Sequence, residues 1–224
     1  MAEFDDNEEL KSFRHWWSNN GTSAIIGVLV AILIVGGWYG WQWYTERQDT
    51  QAANLYSQVR YGIAEGKMTS GMKNVIEKLK NDYSRTPYAG AAALTLGAYQ
   101  VDKGKLDEAM PELDWAMHNA QGEGIRQVAT VRKARLLWSQ GKNKEALKLL
   151  QQDHPAEFDS LYAELTGDIH AAEGQREAAH AAYEKALAAL PSDVSKQVLE
   201  YKLRKYASSD DNEDASSRGK TADS

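Results

Sequence analysis

Thirty consecutive residues, Trp16 to Thr45, carry no charge, and the centre of this run, Ala24 to Val35 (AIIGVLVAILIV), is almost wholly apolar. No other feature restricts the possible folds so strongly, because such a stretch must be buried in protein or in lipid. Aromatic residues bracket it, with Trp16 and Trp17 before and Trp38, Tyr39, Trp41, Trp43 and Tyr44 after. As a helix rising ~1.5 Å per residue, Trp17 to Trp38 spans about 30 Å, the thickness of a bilayer's hydrocarbon core. The rings then fall at the two interfaces, where amphipathic aromatics prefer to lie. The reading is a transmembrane helix over residues 23–45.

A cleaved signal peptide would need a basic leader, a shorter apolar run and a small-residue cleavage site. Residues 1–22 instead hold five acids against Lys11 and Arg14. Lys11 and Arg14 precede the span and Arg47 and Arg60 follow it, so charge alone does not set its direction. Gly36 and Gly40 form one G-x-x-x-G step, and Gly27 and Ala31 share the spacing earlier in the run. Small residues placed this way let two helices approach closely in lipid, which makes these four the candidate membrane helix-packing positions.

No proline or turn cluster interrupts Tyr44 to Ala64, so the span is expected to run on into the first helix of the following body, which would then sit close to the bilayer. Next comes a repeat: GKMTSGM at Gly66, GKLDEAM at Gly104, GKNKEAL at Gly141 and GQREAAH at Gly174. Spacings of 38, 37 and 33 residues point to stacked helical hairpins, none able to bury its apolar stripe alone. The last unit, residues 160–193, matches the tetratricopeptide (TPR) pattern at Gly167, Gly174, Ala179, Tyr183, Ala186 and Pro191. Gly167 and Ala179 would let two helices pack at close range, Gly174 would cap the first, and Tyr183 and Ala186 would fill the seam with the neighbouring hairpin.

Earlier units are more degenerate, and the unit at residues 52–85 keeps only Leu55, Gly66 and Gly71. Pro111 falls inside an expected second helix, which should kink or start late. Residues 192–207 read as a last amphipathic helix, with Val194, Val198 and Tyr201 on one stripe, that caps the stack. The fold class is therefore all-α: a single N-terminal transmembrane helix followed by a TPR-like right-handed solenoid of helical hairpins. Its parts are an acidic leader (1–22), the span (23–45), the repeat domain of about four hairpins and a capping helix (46–207), and a disordered polar tail (208–224).

The chain carries a formal net charge of −6, of which leader and tail contribute −3 each. The region between them holds 22 basic and 22 acidic residues, which argues against a phosphate-binding surface and hence against nucleic acid as a partner. There is no cysteine, so disulfides, thiolate metal sites and a thiol nucleophile are excluded. His15, His118, His154, His170 and His180 are scattered, without the spacing that shares a metal; His170 reads as a packed, hydrogen-bonded ring. The GKT at Gly219 lacks the earlier glycine of a phosphate loop, and Gly122-Glu-Gly124 suits a turn between helices. No catalytic, cofactor-binding or metal-binding set emerges, and the chain does not read as an enzyme or a binder of small molecules.

What remains is surface. In a TPR stack the first helices of the hairpins line a concave groove, and that geometry directs Tyr56, Arg60, Ile63, Leu94, Val101, Val131, Arg135, Trp138, Leu161 and Glu164 toward it. An aromatic, an arginine and several aliphatics are residue types that anchor peptides and partner helices, although Trp138 and the aliphatics also suit an inter-helix core.

The acidic leader, the W-W-x-x-N-G at Trp16 to Gly21, the G-W-x-x-W at Gly37 to Trp41 and the four degenerate hairpins together resemble the YfgM family, ancillary subunits of the bacterial SecYEG translocon. The V-R-K-A-R of Val131 to Arg135 and the T-G-D of Thr166 to Asp168 resemble short helical motifs of the same family. The resemblance implies an inner-membrane protein with a cytoplasmic N-terminus and a periplasmic C-terminal domain. Its implied partners are SecYEG and the membrane-tethered chaperone PpiD, and its implied role is handing emerging chains to periplasmic chaperones. The residues themselves also admit a repeat module that regulates or sequesters a signalling or cell-envelope partner.

Overall fold

In the computed structural model the described residues are 6–66 and 68–207, and they form nine α-helices, one short 3-10 turn and no strand. The polar tail from Ser208, with the GKT at Gly219, and the first five residues of the leader lie outside them. The first helix, α1 (Asp6–Ala64), is unbroken, so the helix of the span does continue past Tyr44 as expected. Residues up to Gln51 form one unit and those from Ala52 another.

In the first unit, the described large apolar side chains from Trp16 to Tyr44 are exposed, Leu33 at 74% and Trp38 at 71%. A helix apolar on every side belongs in lipid or in a large core, and among the described residues this run contributes to no core cluster. A Cβ built at Gly27, Gly36 or Gly40 would meet nothing within 4 Å, and Ala31 is exposed. An unbroken helix turns about 100° per residue, so the nine residues from Gly27 to Gly36 carry the two small-residue pairs roughly 180° apart. Gly27/Ala31 and Gly36/Gly40 thus lie on opposite faces and cannot form one packing stripe.

In the second unit the end of α1 shares a core seam with α2 (Ser70–Asp82). Three hairpins follow: α3 (Pro87–Asp102) with α4 (Leu106–Asn119), α5 (Glu123–Ser139) with α6 (Asn143–Leu150), and α7 (Asp159–Ala172) with α8 (Arg176–Ala188). A last helix, α9 (Gln197–Tyr206), lies on α8. The four repeated glycines stand at the turns inside the hairpins. Gly66 and Gly104 have φ of +72°, Gly141 and Gly174 of +75°, a region open to glycine and strained for other residues. After three of these helices the chain closes the same way. Lys105 N–H donates to Gln100 O at 2.8 Å, Lys142 N–H to Leu137 O at 2.9 Å and Gln175 N–H to His170 O at 2.9 Å. Each is the six-to-one bond of a Schellman cap, which satisfies helix-end carbonyls and reverses the chain in a fixed direction.

The core is a row of alanine-rich seams. Ala52, Val59, Ile76, Leu79, Ala89 and Ala92 close the first; Ala93, Ala109, Leu113, Ala116 and Ala129 the second; Ala134, Ala146, Tyr162, Leu165 and Ile169 the third. Two glycines permit the closest approaches. A Cβ at Gly90 would lie 2.5 Å from that of Ala120, and one at Gly167 would lie 2.6 Å from Tyr183 Cε1. Tyr183 therefore packs into its own hairpin, where its hydroxyl donates to Asp168 at 2.9 Å, and its ring meets Tyr206 of α9 with centroids 5.9 Å apart. Of the kink or late start expected at Pro111, the late start does not occur: α4 begins at Leu106 and carries Pro111 as its sixth residue. Pro111 is exposed, so the carbonyl it leaves without a helical donor is on the side open to water, while Ala109, Leu113 and Ala116 hold the opposite side.

The capping helix is a second correction. Its inward face is Leu199, Leu203 and Tyr206, whereas Val198 and Tyr201, on the stripe read from the sequence, are 60% and 61% exposed. Lys202 explains the choice. Its Nζ reaches Glu164 Oε1 at 2.7 Å and the two carboxylate oxygens of Asp168 at 2.7 and 3.0 Å, tying α9 to α7. Burial alone would lower the Lys202 pKa, but hydrogen bonds and charge from Asp168 and Glu164 outweigh it and leave it above the ordinary lysine range. Burial, and then Asp168, also raise the Tyr183 phenol. For groups raised in the folded state, the stabilising contribution is complete below their unfolded pKa values and is lost as pH rises through the folded ones. The melting temperature of the repeat unit should therefore hold to about pH 10 and fall above it, since free tyrosine and lysine titrate near 10 to 10.4. Lys202→Met should cost about 1–2 kcal/mol at neutral pH and flatten that alkaline fall, which melting curves followed by circular dichroism across pH will read.

Candidate functional site: the inner face of the repeats

Among like helices of successive hairpins, α3 meets α5 and α5 meets α7, so the first helices converge on one inner face. Toward the C-terminal ends of α3 and α5 a pocket of about 370 Å³ opens. Gly97, Ala98, Val101 and Asp102 line it from α3, and Leu113 from α4. Arg132, Arg135, Leu136 and Ser139 line it from α5. The floor is apolar, and the missing side chain at Gly97 contributes to it: a Cβ there would touch Leu113 at 3.4 Å, so α4 rises close beneath α3. On the α5 wall the Arg132 guanidinium donates to Leu94 O at 3.3 Å, which holds it at the rim. Arg135 is exposed and has no hydrogen bond or ion pair among the described residues, and Asp102 on the opposite wall has none either.

The ten groove residues expected from the sequence have different fates. Val101, 40% exposed, and Arg135 do meet in this pocket. Leu94 and Val131 do not reach the surface; they are 9% and 3% exposed and belong to two core seams. Trp138 and Leu161 are half-buried against the α5–α7 seam, which makes Trp138 primarily an inter-helix wedge. Glu164 is occupied by Lys202, and with α9 lying there it is not a free groove contact. Tyr56 is half-buried, its hydroxyl 3.2 Å from Thr95 Oγ1 and its ring against Tyr88, and Ile63 packs in the first seam. Arg60 is exposed beside Tyr61 in a separate shallow depression on the end of α1.

Sequence reading missed Ala98, Asp102, Arg132 and Ser139. The signal was a wider helical stripe: 98 and 102 flank the chosen 101 on α3, and 132 and 139 flank the chosen 135 on α5. The histidines lie elsewhere. His170, only half-buried, has Nδ1 2.6 Å from Gln175 Oε1, the hydrogen bond expected of it, and His154 stacks on Tyr162 at 3.8 Å between centroids.

Stacked hairpins with glycine-capped turns, a converging inner face and a helix apolar on all sides define a class: a helical-repeat protein with an N-terminal membrane anchor. A family model for the tetratricopeptide repeat-like domain matches residues 14–208, and the chain belongs to that family. Among curated relatives, an ancillary SecYEG translocon subunit of Haemophilus influenzae is 26% identical over 199 residues, covering 89% of this chain and 96% of the relative. The proteins of the same name from Neisseria gonorrhoeae and Escherichia coli are 27% and 24% identical. They cover 90% and 88% of this chain, and 97% and 92% of their own length. These matches run nearly end to end and uphold the resemblance to the YfgM family.

Proposed function

We propose that this chain is a non-catalytic, membrane-anchored adaptor of the Sec translocon, with its anchor docked beside the channel and its repeats presented to protein partners. Two things support the reading. Relatives that match nearly end to end are named for the SecYEG translocon, and the inner face carries an apolar pocket rimmed by an arginine without a partner among the described residues, a surface suited to a polypeptide. In this reading the N-terminus is cytoplasmic and the repeats are periplasmic. There they meet a PpiD-type chaperone and take part in passing newly translocated chains onward.

The pocket on the inner face carries the proposal, and crosslinking tests it. Photoreactive residues at Gly36 and at Gly40 in the full-length chain, activated in native membranes, should yield adducts with a translocon subunit. The same probe at Ala98 should yield adducts with a protein on the side of the repeats. Adducts with lipid alone from Gly36 and Gly40 would remove the channel from the proposal. Protease added to spheroplasts should digest the repeats and spare the leader; the opposite pattern reverses the orientation.

A further inference from the structure

Resting on the adaptor reading, we infer that the pocket between α3 and α5 receives a partner segment in which one large apolar side chain stands next to a carboxylate. A volume of about 370 Å³ is at the small end for ligand sites, which run from roughly 300 to 1,000 Å³. It suits one or two side chains rather than an extended cofactor. Ala98, Val101, Leu113 and Leu136 offer that side chain an apolar seat.

The rim then sets the charge. Arg132 is held in place by Leu94 O, and Arg135 beside it has no partner among the described residues, so the α5 wall presents two guanidiniums where one carboxylate can be shared. Asp102 faces them from α3, also without a partner among the described residues. The balance favours an anion on the α5 side. The lone carboxylate across the pocket calls for a hydrogen-bond donor on the other side of the same ligand. A polypeptide supplies all three groups within a few residues: apolar side chain, acidic side chain and backbone N–H. A fatty acid supplies the first two and leaves Asp102 facing a chain with nothing to donate. The occupant is therefore a protein segment. The chain's own acidic tail, residues 208–224, has the charge but no apolar side chain larger than alanine.

The test pans a random-peptide display library against the full-length protein in nanodiscs and measures the enriched peptides by fluorescence anisotropy. The expected consensus sets a large aliphatic or aromatic residue within two positions of Asp or Glu. Ala98→Trp, which fills the pocket from an exposed position, and Arg135→Glu should each weaken binding roughly tenfold or more with melting temperature unchanged. Asp102→Asn should weaken it less. No enrichment, a consensus without an acid, a basic consensus, binding that survives both variants, or displacement by oleate but not by the consensus peptide would each overturn the inference. The two readings fail separately. If crosslinks from Gly36 to the translocon persist while the pocket binds no such peptide, the adaptor stands and the pocket assignment falls. If those crosslinks are absent while the peptide binds, the reverse holds.

Discussion

Gly167→Val is expected to cost about 3 kcal/mol and to lower the melting temperature of the repeat unit by roughly 10 °C. The reason is local and geometric. Gly167 lies on α7 directly against the ring of Tyr183 on α8, and even a bare Cβ would stand 2.6 Å from Cε1 and 2.7 Å from Cδ1. The ring cannot easily withdraw. Its hydroxyl is bonded to Asp168, and Tyr206 and Lys202 of α9 lie against it. The two helices must therefore part, and α9, which rests on them, loses its seat. Gly124→Ala is the control: a Cβ there meets nothing within 4 Å, so the change should be neutral or slightly stabilising through helix propensity. Urea unfolding of both variants followed by circular dichroism compares them, and a Gly167→Val chain as stable as the parent would show that the α7–α8 contact is looser than described.

The second large effect concerns the anchor. Val30→Lys combined with Leu33→Lys should release the protein from membranes into the soluble fraction after alkaline carbonate extraction. Each lysine near the centre of a span costs about 3 kcal/mol to insert, and two on adjoining turns oppose insertion by about 6 kcal/mol. Both positions are exposed along α1, so no core of the chain's own would be disturbed. Gln48→Lys, beyond the uncharged run, should leave the protein in the pellet. If the double variant stays there too, the run from Trp16 to Thr45 is not what holds the chain to the membrane.

The two small-residue pairs refine what the anchor can do. Because Gly27/Ala31 and Gly36/Gly40 lie on opposite sides of an unbroken helix, one neighbouring helix engages one pair, and engaging both takes a helix on each side. Spacing within each pair was visible in the sequence. The angle between them follows only once α1 is known to be continuous.

The sequence by itself determined the anchor, the helical class and the hairpin turns. Each rests on a local rule: an uncharged run of bilayer length, helix-forming composition, and glycine where the backbone must take positive φ, as at Gly104, Gly141 and Gly174. Only the tertiary structure decided which of two plausible stripes each helix turns inward. The expected capping stripe Val194/Val198/Tyr201 and the observed Leu199/Leu203/Tyr206 both have helical spacing; Val194 falls before α9 begins at Gln197, the second stripe packs, and Lys202 ties the helix to Glu164 and Asp168, more than thirty residues away in the chain. The pocket follows the same logic: Leu94 and Val131 go to the core while Ala98, one turn on from Leu94, and Arg132, next to Val131, line the surface, a division fixed by the helices packed behind them. Periodicity gives the face of a helix to within a residue or so, but what that face meets is a property of other helices.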